Sequence, residues 1–239
     1  MKILITGSSS GIGKSLSEDF LANNHIVIGL ARDHSKFKPD NNNYITYQID
    51  LSDIDNAISI YGNIIKEHQD IDILIINAGY GDFKELEQFS DAQIINLFNV
   101  NLISQILLIK KILPNLKNKQ TKSQKKIIFI GSEAALEGAT KGSIYCATKF
   151  ALRGFAQSMR KECAKHNIAV TIINPGMVKT NFHNKQSFTH GNKLENYILP
   201  DNIKNLVRLI SASDNNFDID EINLSPMKKV IRFKSSQDE

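Results

Sequence analysis

Hydrophobic positions fall into two alternating textures along the chain. Short unbroken runs rich in Ile and Val occur at Lys2 to Thr6, His25 to Ala31, Tyr44 to Ile49, Ile71 to Asn77, Lys126 to Gly131, Ala169 to Asn174 and Glu221 to Leu224. Runs of this length and composition predict strands, most of them buried on both faces. Longer, helically periodic stretches separate them: Gly11 to about Asn23, Asp53 to Glu67, Ser90 to Leu116, Ser143 to His166 and Pro200 to Ser213. These predict helices, the third one irregular near its start. Such alternation implies right-handed crossovers and a doubly wound α/β fold: a mostly parallel, seven-stranded sheet with helices on both faces. No internal repeat and no Gly/Ser- or Pro-rich linker interrupts residues 1–239, so one domain is the economical reading. Two segments read as loops: Lys117 to Lys126, with five lysines, and the polar stretch Asn181 to Leu199.

Composition narrows the class. The hydrophobic share is 41% and the charged share 23%, enough to bury a core rather than stay disordered. No apolar run is expected to reach the roughly 20 residues that span a bilayer. The sequence enters a strand-like run at Lys2 without the features of a secretory signal, so a cytoplasmic protein is expected. Cys146 and Cys163 are too few for a disulfide framework. The net charge of +4 is a modest excess, and the lysines between 117 and 126 have no interleaved aromatic residues to stack bases, so no nucleic-acid partner is expected. His183 and His190 lack acidic or Cys companions, so no metal site is expected.

Two constellations carry chemistry. The first joins the first strand to the first helix: Thr6-Gly7-Ser8-Ser9-Ser10-Gly11-Ile12-Gly13. Glycines let the backbone turn tightly and approach a pyrophosphate, and the helix that follows presents free N–H groups and a positive dipole end. A nucleoside-triphosphate P-loop is the rival reading, since Gly13-Lys14-Ser15 supplies its ending. Its first glycine would have to stand at Ser8, so the register fails by one residue. The second constellation is Tyr145 with Lys149, one helical turn apart, and Ser132 at the end of the fifth strand. An ammonium near a phenol favours phenolate, and a phenol so tuned can give and take a proton.

On these residues the chain resembles a short-chain dehydrogenase/reductase. Thr6 to Gly13 matches that family's cofactor loop, Asn77-Ala78-Gly79 the motif after its fourth strand, and Asn101, Ser132, Tyr145 and Lys149 its catalytic tetrad. Pro175-Gly176, with Val178 and Thr180, matches the turn after its sixth strand. The resemblance implies a Rossmann fold and hydride transfer between a nicotinamide and a carbonyl or alcohol carbon. It makes Tyr145 the general acid or base, and has Lys149 lower the phenol's pKa and bond the nicotinamide ribose. Ser132 would hold the substrate oxygen, and Asn101 would anchor a water linking Lys149 to solvent. It also implies a homodimer or homotetramer through the helices Ser90 to Leu116 and Ser143 to His166. Gly7, Ser9, Ser10, Gly11, Ile12 and Gly13 would contact the cofactor, with Asp50 and Leu51 at its adenine. Two positions depart from the family pattern: Ile76 stands where a first asparagine is common, and Ser104 where a glycine often follows the tetrad asparagine. Neither removes a catalytic group.

The turn after the second strand bears on which cofactor. Ala31 stands where an NAD enzyme usually places a carboxylate, and Arg32 follows it, so NADP(H) is expected over NAD(H), with Asp33 as the rival ribose partner. The substrate would meet Phe83, Glu133, Gly138, Met177 and the loop Asn181 to Leu199, whose Lys185 and Lys193 lean towards a small polar compound. Beside the oxidoreductase stands a second reading, a nucleotide-binding regulator of the same fold with little turnover.

Overall fold

Seven parallel strands lie side by side in the computed structural model of the chain, which describes residues 1–118, 124–184, 186–213 and 217–234. They are β1 (Lys2–Thr6), β2 (Ile26–Ala31), β3 (Tyr44–Gln48), β4 (Ile73–Ile76), β5 (Lys125–Ile130), β6 (Ile168–Pro175) and β8 (Glu221–Leu224), in the order β3-β2-β1-β4-β5-β6-β8. The helices are α1 (Gly11–Ala22), α2 (Ile54–Glu67), α3 (Asp91–Phe98), α4 (Ser104–Leu116), α5 (Ser143–Cys163) and α6 (Pro200–Ala212). The expected elements are all present, with ends shifted by a residue or two as helices fray and strands lose pairing.

Alternation along the strands builds two cores. Ile3 and Ile5 of β1 and Ile128 and Ile130 of β5 face one side with Leu16, Phe20, Ile203 and Val207 of α1 and α6. Leu4, Ile127 and Phe129 face the other, with Tyr61 of α2, Leu108 and Ile112 of α4 and Leu152 of α5. A strand covered on both faces has no polar alternate, which is why the runs read as continuous. The strand order switches between β1 and β4, and at the carboxyl ends of the strands beside such a switch point open α/β sheets take their ligands in a crevice.

Three expectations are corrected. The lysine loop is shorter than the sequence suggested: residues 119–123 lie outside the described residues, while Lys125 and Lys126 belong to β5 and are buried. Lys125 Nζ pairs with Asp72 at 2.7 Å, and Lys126 Nζ donates to the carbonyl and hydroxyl of Ser213, so their charges are spent locally. The loop Asn181 to Leu199 is not structureless. It holds β7 (Phe188–His190), which pairs antiparallel with β9 (Ile231–Phe233), and three residues per strand is too short a run to show a period. The stretch Asp91–Leu116 is, by length and composition alone, long and apolar enough to cross a membrane. Its sheet-facing side nonetheless buries Asn101, Ser104 and Gln105, and a π-helical turn at Asn99–Ile103 joins α3 to α4.

The crevice is held in shape by one buried hydroxyl. Thr6 Oγ1, at the end of β1, accepts the N–H groups of Asn77 and Ala78, both at 3.0 Å, and donates to Gln105 Oε1 of α4. Valine has the same shape without the acceptor. Thr6→Val should therefore cost about 2–4 kcal/mol in a urea unfolding experiment, because two N–H groups lose their partner inside the protein. An unchanged unfolding midpoint would show that the hydroxyl does not hold β4 to β1.

Candidate active site

The turn from β1 to α1 is built by close backbone approach. Gly7 takes φ +70°, and a Cβ there would lie 3.1 Å from Ala78 Cα. A Cβ on Gly13 would overlap the Gly7 carbonyl oxygen, so only glycine lets α1 start this near the strand. The Gly7 N–H donates to Leu30 O at 2.7 Å, and Asn77 Nδ2 donates to the carbonyls of Thr6 and Gly7. Ser10 is the extended residue before α1 and makes no side-chain cap, so the first-turn N–H groups of the helix point into the crevice. Ser9 is buried in the turn, while Ile12 packs into the core and offers only its backbone. From the other side the turn after β6 closes in. Gly176 N–H donates to Leu224 O, Val178 bridges to Ile198, and the Thr180 methyl lies 3.3 Å from the position a Cβ on Gly11 would take. Pro175, Gly176, Val178 and Thr180 thus face Gly7 to Gly13 across the crevice. A glycine-lined turn at a helix start fits the pyrophosphate of a dinucleotide. Lys14, on which the P-loop reading rests, instead sits on α1 near Glu18 and over the ring of Phe37.

At the adenine end, Ala31 is buried and Arg32 exposed. Ser35 holds the Asp33 carboxyl below its ordinary pKa through its hydroxyl and its N–H, the latter at 2.7 Å. Asp33 is therefore engaged with its own turn, which leaves Arg32 as the group at the position in question. Asp50 accepts the N–H and hydroxyl of Ser52; these bonds lower its pKa, and Arg32 adds to the effect. Leu51 beside it is buried.

The four tetrad residues converge at the carboxyl ends of β4 and β5. Ser132 follows β5 close enough to Tyr145 for its hydroxyl to lower the phenol's pKa, and its oxygen accepts the Ala134 N–H at 3.1 Å. Tyr145 and Lys149 share one face of α5, with Lys149 Nζ 5.8 Å from the Tyr145 ring centre. Both are buried. Burial pushes the Tyr145 phenol up to about 12 against the lowering by Ser132, and it pushes the Lys149 ammonium down to about 8. Desolvation is the largest influence on the phenol, so its pKa lies above the ordinary phenol value. Lys149 Nζ makes one long hydrogen bond, 3.4 Å to Ile130 O, and a Cβ on Gly79 would lie 3.5 Å from it. Donor capacity is thus left facing the crevice at Gly79. Asn101 sits in the π-helical turn and is fully buried. Its side chain accepts the Tyr80 N–H and donates to Tyr80 O and Thr148 Oγ1, so its amide pins the loop after β4 instead of facing open space.

Several residues that hold the site escaped the sequence reading. Gln105, Tyr80 and Thr148, and the three bonds at the Thr6 hydroxyl, act between distant elements, which leaves no local pattern. Phe182 and Phe188 lie in a segment that reads as polar. On the substrate side, Phe83 and Phe182 pack against Tyr145, while Glu133 pairs with Lys229 at 3.2 Å. The lean towards a small polar substrate is corrected accordingly. Lys193 is exposed at the outer surface beside Met227 and Lys228, and Lys185 lies outside the described residues. The rings that pack on the phenol, Phe83 and Phe182, are apolar, with Ser132 and Lys149 as the polar groups beside it.

Comparison with known proteins agrees with this geometry. The model of the short chain dehydrogenase family matches residues 1–190. A 3-oxoacyl-acyl-carrier-protein reductase of Buchnera aphidicola is 33% identical over 186 residues, 76% of this chain and 75% of its own. An NADP-dependent 3-hydroxy acid dehydrogenase of Schizosaccharomyces pombe is 31% identical over 195 residues, 75% of this chain and 72% of its own. Among solved structures, a 4-hydroxyisoleucine dehydrogenase complexed with NADH and succinate superposes with a TM-score of 0.82 at 26% identity, covering 94% of this chain and 97% of its own. With the match spanning most of the sheet, the chain belongs to the short chain dehydrogenase family, NAD(P)-binding oxidoreductases of CH–OH and C=O groups.

Proposed function

We propose that the protein is an NADP(H)-dependent oxidoreductase in which Tyr145 transfers the proton. The observation that carries this reading is the convergence of Ser132, Tyr145 and a buried Lys149, whose Nζ lies 5.8 Å from the phenol ring centre. The nicotinamide, when bound, supplies or accepts the hydride. Ser132 donates to the substrate oxygen and stabilises the charge that gathers there. Tyr145 gives its proton to that oxygen in reduction and takes it back in oxidation. Lys149 serves the cofactor ribose and neutralises the phenolate that forms beside it. Asn101 holds the Tyr80 loop and Thr148 in place, so that α5 presents the pair to the crevice.

Tyr145→Phe removes only the proton donor. Turnover should fall by about 10²–10⁴-fold while NADPH affinity, read by nicotinamide fluorescence, changes little. Retained turnover would remove Tyr145 from the mechanism. Lys149→Met should abolish turnover too, yet stabilise the fold. The ammonium's pKa drops from 10.5 unfolded to about 8 folded, so below about pH 8 its burial costs stability. That cost fades as pH rises from about 8 towards 10.5, where the unfolded chain alone holds the proton. The variant's gain in melting temperature should be largest at neutral pH and shrink across that window.

The preference for NADP(H) rests on Arg32. A guanidinium beside a 2′-phosphate makes a charge-assisted contact that NADH lacks. The dehydrogenase above whose name includes NADP and the neighbour that holds NADH show both cofactors in use among relatives, so the test must be direct. Arg32→Ala should weaken NADPH binding by roughly ten- to a hundred-fold and leave NADH binding nearly unchanged. Equal losses for both would place Arg32 on a shared part of the cofactor.

Assembly follows from the helices that lie outermost. Ile95 on α3, Ile103 in the π-helical turn and Phe150 on α5 are exposed. We infer a homo-oligomer in which symmetric helix pairing covers them. A sedimentation mass of 26.8 kDa at micromolar concentration would contradict this.

A further inference from the structure

The Tyr145 phenol is closed in by rings. Its ring centre lies 5.1 Å from Phe83 and 5.9 Å from Phe182. Phe83 meets Phe188 edge-on at 5.0 Å, and His183 joins Phe188 at 5.6 Å to Phe182 at 5.1 Å. The contacts form a complete circuit of five rings: Tyr145, Phe83, Phe188, His183 and Phe182.

Both sides of this circuit are tied down by polar contacts that leave the rings themselves neutral. Gln186 donates to Gly81 O at 2.7 Å, fastening the segment before β7 to the loop that carries Phe83. Lys234, just after β9, donates from Nζ to the carbonyls of His183 and Asn184 and from its N–H to Ser187 O. The charged groups nearby are paired among themselves, Glu133 with Lys229 and Asp82 with Lys84. Burial holds the His183 imidazole down at about 4, so it is uncharged at neutral pH, and its Nδ1 has no partner among the described residues.

We propose that this ring circuit is the substrate wall, and that it selects a carbonyl or alcohol borne on an uncharged aromatic ring. The proposal rests on the oxidoreductase reading for the role of Tyr145. Tyr145 is 6% exposed and its ring packs on Phe83 and Phe182, so a substrate that reaches the phenol lies against these rings. A planar ring lying there makes offset and edge contacts with them, whereas a saturated chain gains only burial. A small carboxylate would leave its hydration shell among rings that carry no charge of their own. The three phenylalanines are then specificity residues, and β9 acts through β7 to hold Phe188 in place.

The test uses the full chain with NADPH and three carbonyl compounds: acetophenone, cyclohexyl methyl ketone and 2-oxobutanoate. The aryl ketone should have the highest kcat/KM, by about ten-fold over its saturated counterpart, as expected for the loss of two or so ring contacts. Phe188→Ala should raise KM for acetophenone by about ten-fold with kcat little changed, and Phe188→Tyr should restore it. Nicotinamide fluorescence on each variant reports whether the cofactor site is still folded. Saturation-transfer NMR of acetophenone on the protein with NADP⁺ measures binding without chemistry. Saturation transfer without turnover of any compound would support the ring site and count against the oxidoreductase reading. Preference for 2-oxobutanoate, an unchanged KM in a folded Phe188→Ala, or absent saturation transfer would each overturn the proposal.

Discussion

Thr6 Oγ1 receives two backbone N–H groups from the strand end at Asn77 and Ala78 and gives its own proton to Gln105, so β1, β4 and α4 meet at one buried oxygen. Everything on the cofactor side of the crevice is measured from that point. Gly7 turns immediately after Thr6, and Asn77 Nδ2 reaches back across the gap to the Gly7 carbonyl. Gln105 in turn donates to Val100 O in the π-helical turn, where Asn101 holds Tyr80 and Thr148. One chain of hydrogen bonds therefore runs from the phosphate cradle to the base of the helix that carries Tyr145 and Lys149. Thr6, Gln105, Asn101 and Thr148 along it are buried, so a bond lost there would leave a polar group without water as a substitute.

The same dryness sets the chemistry. Tyr145 is held neutral more firmly than a free phenol, and Lys149 gives up its proton more readily than a free amine, both because water is excluded. A site in this condition resists charge until something supplies it, and the first charge to form is strongly felt in a low-dielectric setting. The phenol is thus held in its protonated form, and Lys149 Nζ has its one hydrogen bond among the described residues to Ile130 O.

Relatives in this family share the cradle and the parallel sheet, and the likeness to known proteins is greatest there, since the family model ends at residue 190. The remaining chain supplies α6, the edge strand β8 and the strand β9 that fastens the loop over the phenol. The rings around the phenol, Phe83, Phe182 and Phe188, lie within residues 1–190, and the later chain meets them through the pairing of β9 with β7 and through Lys234. Family membership gives the cofactor class, whereas function beyond it has to be argued from the site itself.

How much was legible in the sequence follows from which features are local. The strands of the sheet, buried on both faces, appear as unbroken apolar runs; Gly7 and Gly13 mark a turn only glycine can make; Tyr145 and Lys149 share a helix face by spacing alone. Each of these is written in neighbouring residues. The Asp33 bond to Ser35 is equally local, and it narrows the cofactor question to Arg32 only once the turn is seen. What tertiary structure decided is whatever depends on distance through space. The sign of the phenol's shift came from burial, which spacing does not show. Lys125 and Lys126, polar in the sequence, are buried because Asp72 and Ser213 come from 53 and 87 residues away to meet them. The ring circuit joins residue 83 to residues 145, 182, 183 and 188, and no window along the chain contains it. Sequence determines which surfaces each element offers, but only packing selects which of them meet, because a contact's energy depends on the water both partners give up together.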